Sequence, residues 1–149
     1  MNTRKTVVFV CTGNTCRSQM AAALFCNNIP KLYAHHVTVC SAGLMAHTGD
    51  PPTENAILAM AQLGIDISGN RASNLDPKFL EEADLFVCMS QNHVEALMRA
   101  GIPPEKIMNI DIVDPYGGNL KTYLTCRDLI SLKLHDIYER LGVNGIQSC

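Results

Sequence analysis

The sequence has no long apolar run, no excess of positive charge and no closely spaced cysteine pairs. The apolar stretch near its start covers only about five residues, whereas a membrane-spanning helix needs roughly 20. A net charge of -2 at pH 7 provides no basic surface for nucleic acid. These features predict a partner other than a membrane or a nucleic acid, namely a protein side chain or a small molecule bound at a local site.

Cysteine is present in a number that does not suit a disulfide framework. The chain has seven, an odd count, and no signal peptide precedes them. This usage favours reduced thiols in a cytoplasmic protein. The 149 residues are predicted to form a single domain over 1–149, because no repeat, low-complexity segment or linker divides them. No oligomeric state is predicted.

Strands and helices are predicted to alternate along the chain. The predicted strands cover 7–10, 36–40, 85–89 and 107–110, and the predicted helices cover 18–26, 52–63, 79–83, 92–99 and 120–141. Alternation of this kind predicts an α/β fold with a doubly wound, four-stranded parallel sheet and flanking helices, with ligands bound at the carboxyl ends of the strands. The apolar face of the last helix is predicted to consist mainly of Leu124, Leu129, Leu132, Ile137 and Leu141.

The most informative segment is the loop from Cys11 to Arg17, which connects the first strand to the first helix. Unpaired N–H groups and the helix dipole at such a position bind a phosphate and stabilise a thiolate. Gly13 allows the backbone to approach a ligand, and the planar fork of Arg17 matches two phosphoryl oxygens. We therefore predict a thiol nucleophile, Cys11, facing a phosphate cradle.

Two simpler interpretations of this loop are weaker. Cys11 could be a small buried apolar residue and Arg17 a surface charge, but the glycine and the strand-to-helix context argue against that. A zinc site at Cys11 and Cys16 would need four ligands at short paired spacings, and the other cysteines are scattered singly. Neither a metal nor a cofactor is predicted.

The loop at 111–119 follows the fourth predicted strand and is expected to lie on the same rim as Cys11. Asp114 is the candidate general acid, since phosphoryl transfer to a thiolate requires a proton for the leaving group. Pro115 restricts the backbone of Asp114, and the glycines at 117 and 118 allow the loop to bend. The alternative is that this segment is only a turn in which Asp114 caps a local backbone group.

Three motifs carry a family resemblance over essentially the whole chain: CTGNTCRS from Cys11, VCSAG from Val39 and DPYGG from Asp114. Together they resemble the low-molecular-weight protein tyrosine phosphatase superfamily. The resemblance implies that Cys11 is the nucleophile, Arg17 the phosphate clamp and Asp114 the acid. It also implies that Ser18 donates to the Cys11 thiolate and that Asn14 shapes the loop through neighbours including Ser41. The remaining residues implied at the substrate site are Thr12, Gly13, Thr15, Cys16 and Tyr116.

The resemblance leaves two interpretations of Cys16. Its side chain could pack under the loop, or it could trap an oxidised Cys11 as a disulfide before irreversible over-oxidation, and we favour the second. A bridge within so short a loop would be distorted and therefore easily reduced.

Substrate choice depends on the walls of the cradle. Phosphotyrosine-specific members usually carry a bulky aliphatic residue where this chain has Thr15, and two aromatic residues after the Asp-Pro where it has only Tyr116. A threonine beside DPYGG is similar to bacterial protein-arginine phosphatases, which implies a phosphorylated protein as substrate and phosphoarginine as the favoured group. A tyrosine phosphatase is the second interpretation.

Two further classes rank lower. The loop is nearly identical to that of thioredoxin-coupled arsenate reductases, but their disulfide relay needs two more cysteines after the third strand, and only Cys88 lies there. A non-catalytic phosphoprotein-binding domain would be indicated by loss of the nucleophile or the acid. Both residues are present.

Overall fold

The computed structural model describes residues 4–143. Its strands are β1 (Lys5–Cys11), β2 (Val37–Gly43), β3 (Leu85–Cys88) and β4 (Ile107–Asn109). Its helices are α1 (Arg17–Asn28), α2 (Glu54–Ala61), α3 (Phe79–Glu82), α4 (Gln91–Arg99) and α5 (Leu120–Leu141), with short 3-10 turns at Lys31–Tyr33 and Pro104–Lys106. Every predicted element is present, with ends that differ by up to three residues.

The four strands form one parallel sheet in the order β2-β1-β3-β4. The strand β2 pairs with one edge of β1, and β3 pairs with the opposite edge of β1. The carboxyl ends of β1 and β3 therefore flank the point where the strand order reverses, which is where ligands bind in open α/β sheets. The predicted fold class is confirmed.

Side chains alternate between the two faces of β1, so each face is covered by different helices. Val7, Phe9 and Cys11 point to the face covered by α1, α2 and α5, whereas Val8 and Val10 point to the face covered by α3 and α4. All five are almost fully buried. Cys11 is thus the last side chain in a buried row, at the point where the strand leaves the core.

The predicted apolar face of α5 is partly wrong. Leu129 and Leu132 are exposed and Leu124 is only partly buried, while the prediction for Ile137 and Leu141 is confirmed. The buried side of α5 is completed by Tyr123, Cys126, Ile130, Leu134 and Tyr138. The leucines chosen from the sequence lie on a neighbouring stripe, and the orientation of the helix follows its packing against α1, α2 and the sheet.

The strand β2 extends three residues beyond its predicted end, to Gly43, where it pairs with Cys11. This extension brings the start of the following loop level with the end of β1. Within the described part of the chain, none of the helices is both long and apolar enough to cross a bilayer.

Candidate active site

The loop between β1 and α1 follows directly from the two elements it connects. The strand ends at Cys11 and the helix begins at Arg17, without any side chain capping the first turn. Asn14 adopts a left-handed conformation with φ of 57°, which turns the backbone around the Cys11 side chain. In this arrangement the backbone N–H of Asn14 donates to the Cys11 Sγ, with 3.2 Å between nitrogen and sulfur.

Asn14 is fully buried and fixes the loop through several hydrogen bonds. Its amide nitrogen donates to the hydroxyls of Ser18, at 2.8 Å, and Ser41, at 3.1 Å. Its side-chain oxygen accepts from the backbone N–H of Ser73 at 3.0 Å, and its carbonyl accepts from Gln19 at 3.2 Å. These contacts offset the cost of left-handed backbone at a residue other than glycine. Ser73 and Gln19 were not anticipated from the sequence.

The orientation of the Ser18 hydroxyl follows from the same network. Its oxygen accepts from Asn14 and lies 2.9 Å from the Cys11 Sγ. With the amide hydrogen directed at that oxygen, the hydroxyl hydrogen is free to point to the sulfur. Ser18 and the Asn14 N–H together supply two hydrogen-bond donors to the Cys11 sulfur.

Gly43 provides the space that this loop occupies. A Cβ at this position would lie 2.6 Å from the Thr12 carbonyl oxygen and 2.9 Å from the Ala46 Cβ. The backbones are held together here because the N–H groups of Leu44 and Met45 donate to the carbonyls of Cys11 and Thr12. The glycine of the VCSAG motif is therefore required for close approach of the two loops.

Arg17 is buried beneath the loop, with its guanidinium tethered at one side. Its Nη1 donates to the Ile112 carbonyl at 2.9 Å, and its Nη2 lies 3.6 Å from Asp114 Oδ2. Its Nε is buried and has no partner among residues 4–143. An unpaired buried donor is costly, and a phosphoryl oxygen would satisfy it.

Asp114 lies in the middle of the loop between β4 and α5. Its side chain is 50% exposed, and Oδ1 accepts from the backbone N–H of Tyr116 at 3.1 Å. The local cap considered from the sequence therefore exists, but the same carboxyl group also faces Arg17 and the pocket. The predicted meeting of the loops after β1 and β4 is confirmed by these distances.

Cys16 is a protonated thiol in this arrangement. Its Sγ donates to Asp114 Oδ1 at 3.7 Å, and burial, followed by the charge of Asp114, raises its pKa to about 12. This contact links the loop between β1 and α1 to the loop between β4 and α5. The redox role of Cys16 stays a prediction.

A pocket of about 290 Å³ opens above these groups. Its lining includes eight residues predicted from the sequence, namely Cys11, Thr12, Gly13, Thr15, Cys16, Arg17, Asp114 and Tyr116. The predicted residues Asn14, Ser18 and Ser41 lie behind the loop and shape it instead. In the described residues, no cluster of three or more His, Cys, Asp or Glu side chains could hold a metal ion.

Two further pocket residues, His47 and Asp50, come from the loop after β2 and were not anticipated. The backbone of this loop is fixed, since Gly49 N–H donates to the Ala72 carbonyl and Ala72 N–H donates to the Asp50 carbonyl. Thr53 N–H also donates to the Thr15 carbonyl at 2.9 Å. The position of the loop at the carboxyl end of a predicted strand was the available signal.

The first turn of α4, just after β3, contributes His93, which the sequence reasoning also missed. His93 is 3% exposed, and its Nε2 lies 3.0 Å from the Thr12 hydroxyl. Burial, and secondarily the charge of Arg17, lowers the pKa of His93 to about 4, so the imidazole is neutral near pH 7.

Comparison with known proteins agrees with this geometry. A family model described as low molecular weight phosphotyrosine protein phosphatase matches residues 6–146. The chain belongs to this family. It is a cysteine-based phosphatase of the low-molecular-weight class.

Relatives within the low-molecular-weight phosphatase family differ in substrate. The chain is 32% identical over 145 residues to a protein-arginine-phosphatase of Bacillus subtilis, covering 91% of this chain and 95% of that one. It is 34% identical over 134 residues to an arsenate reductase of Bacillus cereus, covering 90% and 94%. A solved low-molecular-weight protein tyrosine phosphatase from T. tengcongensis superposes with a TM-score of 0.82 at 34% identity, covering 92% and 99%. Family membership is therefore clear, and the substrate has to be argued from the pocket.

Proposed function

We propose that this phosphatase removes the phosphoryl group from phosphoarginine in proteins, through a phosphocysteine at Cys11. The observation that carries the proposal is the charge pattern of the pocket, whose lining combines the cation Arg17 with two acidic residues, Asp50 and Asp114. Phosphoarginine has the complementary pattern, with an anionic phosphoryl group attached to a guanidinium. Carboxylates bind guanidinium groups through charge-assisted hydrogen bonds.

The proposed reaction has two steps. The Cys11 thiolate attacks phosphorus while Arg17 and the loop N–H groups stabilise the equatorial oxygens. The P–N bond breaks, its electron pair passes to nitrogen, and the carboxyl group of Asp114 supplies the proton with which the guanidinium leaves. Asp114 then accepts a proton from water, which attacks phosphocysteine, releasing phosphate and restoring the thiolate.

Thr15 supports the same substrate. Its side chain lines the pocket beside Cys16, where a bulky aliphatic residue would provide an apolar surface for a phenyl ring. A hydroxyl at this position offers a polar partner to a guanidinium instead. Of the Phe, Tyr and Trp side chains in residues 4–143, Tyr116 alone lines the pocket, and it is mostly exposed. A phosphotyrosine ring would find little apolar contact here.

Tyrosine phosphatase activity remains the second candidate because the catalytic groups suit either leaving group. Arsenate reduction is disfavoured by the position of Cys88. That thiol is fully buried within β3, on the face of the sheet opposite Cys11, among the apolar residues that pack against α4. A disulfide relay needs thiols that can reach one another and a reductant.

The test is the ratio of kcat/KM for phosphoarginine and phosphotyrosine peptides of the same sequence. We expect wild type to prefer phosphoarginine. Thr15→Ile is expected to move the ratio toward phosphotyrosine by roughly tenfold to several hundredfold, the range for gain of apolar contact and loss of a polar partner. Asp50→Asn is expected to weaken phosphoarginine turnover alone.

The matched control is Asp128→Asn, since Asp128 is an exposed carboxylate on α5 that pairs with Arg127 outside the pocket. A wild-type preference for phosphotyrosine would overturn the proposal in favour of a tyrosine phosphatase. An unchanged ratio in both pocket variants would contradict the assigned roles of Thr15 and Asp50.

We also propose that Cys16 protects the nucleophile from over-oxidation. Peroxide would convert the Cys11 thiolate to sulfenic acid, and the Cys16 sulfur would displace water to form a disulfide that added thiol can reduce. We expect peptide mapping of peroxide-treated enzyme to find the Cys11–Cys16 bridge. Sulfinic Cys11 in wild type, at the same rate as in Cys16→Ser, would leave Cys16 with a packing role.

A further inference from the structure

His93 is a buried polar residue beside the pocket that the proposed mechanism does not use. It lies in the first turn of α4, after β3, so it connects the loop at the end of β3 with the phosphate loop at the end of β1. The two loops flank the point where the strand order reverses. A side chain that joins them there can influence how the phosphate is held.

The hydrogen bonds of His93 determine which ring nitrogen carries the proton. The backbone N–H of Met89 points to Nδ1 at 3.3 Å, and the Ser90 hydroxyl lies 3.2 Å from the same nitrogen. A backbone N–H can only donate, so Nδ1 is the acceptor. The ring is neutral near pH 7 because its pKa is lowered to about 4, and its single N–H is therefore on Nε2.

The Nε2–H group in turn determines the direction of the Thr12 hydroxyl. It donates to Thr12 Oγ1 at 3.0 Å, so the hydroxyl hydrogen has to point away from the imidazole. Among the described residues, Thr12 Oγ1 forms no other hydrogen bond, and Thr12 lines the pocket together with Cys11 and Arg17. Because Thr12 lines the pocket, its hydroxyl hydrogen can point into the pocket.

We propose that His93 is a positioning residue that directs the Thr12 hydroxyl to donate a hydrogen bond to a phosphoryl oxygen of the substrate. The proposal rests on phosphatase activity and deepens it, because it adds a side-chain donor to the oxyanion-binding groups of the loop. Thr12 contacts the phosphoryl group, and His93 acts through Thr12. The pair holds the donor in place before the substrate arrives.

The test is a double-mutant cycle with Thr12→Val and His93→Leu, which remove the two hydrogen-bonding partners while keeping side chains of similar volume. We expect each single variant to lower kcat/KM by roughly tenfold to a hundredfold, as for loss of a hydrogen bond to a charged group. The kcat/KM of the double variant should be no lower than that of the more impaired single variant, because the two residues act through one donor. If the fold-loss in kcat/KM of the double variant equals the product of the two single fold-losses, the residues act independently and the proposal is overturned.

A conservative variant separates positioning from packing. His93→Gln retains an N–H donor that can reach Thr12, and we expect it to recover most of the kcat/KM lost in His93→Leu. The inhibition constant of inorganic phosphate should rise in Thr12→Val and His93→Leu and return toward wild type in His93→Gln. Equal losses in the Gln and Leu variants would assign His93 to the packing of the β3 loop instead. His135→Leu, at an exposed histidine of α5, is the matched control.

The choice of substrates keeps this inference distinct from the proposed function. Each measurement is made with p-nitrophenyl phosphate and with a phosphoarginine peptide. Turnover of the aryl phosphate alone would reject phosphoarginine as substrate, while the cycle on the aryl phosphate would still decide the role of His93. Thermal unfolding of each variant identifies any loss of activity that comes from a destabilised fold, and in that case Thr12→Val and His93→Gln carry the test.

Discussion

The phosphate loop (11–18) and the acid loop (111–119) meet in one pocket but differ in how deeply their side chains are buried. In the phosphate loop, Cys11, Asn14, Arg17 and Ser18 are all buried, and their polar groups contact one another or the neighbouring loops. In the acid loop, Val113 is 82% exposed and Tyr116 is 73% exposed. The acid loop is attached to the cradle mainly through Arg17 and Cys16.

This difference separates two tasks. Groups that bind the phosphoryl oxygens have to be in place before the reaction, because reorganising them during the reaction would cost free energy. Groups of the enzyme that contact the rest of the substrate face side chains that differ from one substrate protein to another. The buried loop therefore carries the candidate nucleophile and the groups proposed to bind the phosphoryl oxygens, and the more exposed loop carries the candidate acid, Asp114.

The strongest test of the buried loop is Cys11→Ser. A hydroxyl is a far weaker nucleophile than a thiolate at neutral pH, so kcat is expected to fall by more than about 10⁴-fold. Mass spectrometry of rapidly quenched wild type should find phosphate on Cys11. Phosphate on a different residue, or retained turnover in the serine variant, would show that the buried loop is not where the reaction occurs.

Arg17→Lys tests whether the loop needs a fork of donors or only a charge. Arg17 donates to the Ile112 carbonyl through one nitrogen and keeps further N–H donors for a phosphoryl group, whereas a lysine ammonium cannot provide a planar fork. We expect losses of roughly 10³-fold in kcat/KM, close to those of Arg17→Ala. A lysine variant with most of the wild-type activity would reduce Arg17 to a point charge.

Asp114→Asn tests the exposed loop. The loss of activity in this variant should depend on the leaving group of the substrate. A phosphoarginine peptide needs a proton for its leaving nitrogen, so we expect a loss of roughly 10²- to 10³-fold. An aryl phosphate with a good leaving group needs little protonation and should lose less than about tenfold. Equal losses on both substrates would remove Asp114 from the acid role.

Besides its proposed effect on kcat/KM, His93 is expected to have a smaller effect on the pH dependence of stability. Its pKa is about 4 in the fold, held down by burial and Arg17 and opposed by Asp114, against an ordinary value of 6.5. The unfolded chain therefore binds more protons between these values, and the free energy of unfolding falls as the pH drops from 6.5 toward 4. Between pH 7.5 and pH 5 the loss should be roughly 2 kcal/mol.

Denaturant unfolding of wild type and His93→Gln at the two pH values measures this contribution. The glutamine variant should lack it, so its stability should depend less on pH than that of wild type. Identical pH dependence in the two proteins would show that the imidazole titrates in the fold as it does in the unfolded chain.

The sequence was sufficient to predict those parts of the site whose residues are neighbours along the chain. The motif from Cys11 to Ser18 contains a nucleophile, a glycine and an arginine within one strand-to-helix connection, so its residues had to share one site. The alternation of strands and helices predicted the parallel sheet, and the sheet brought Asp114 to the same rim. The face of α5 was assigned incorrectly at Leu129 and Leu132, since leucine content does not decide which stripe of a helix packs.

The sequence by itself thus determined the fold class, the phosphate loop and the candidate acid, because each depends on local pattern or on the order of elements. Only the tertiary structure brought Ser73 to Asn14, Gly43 against Thr12, Asp50 to the pocket and His93 to the Thr12 hydroxyl. These residues lie on other strands, helices and loops, up to 81 positions away from their partners. Their contacts arise when the sheet aligns the carboxyl ends of its strands, which no local pattern in the sequence records.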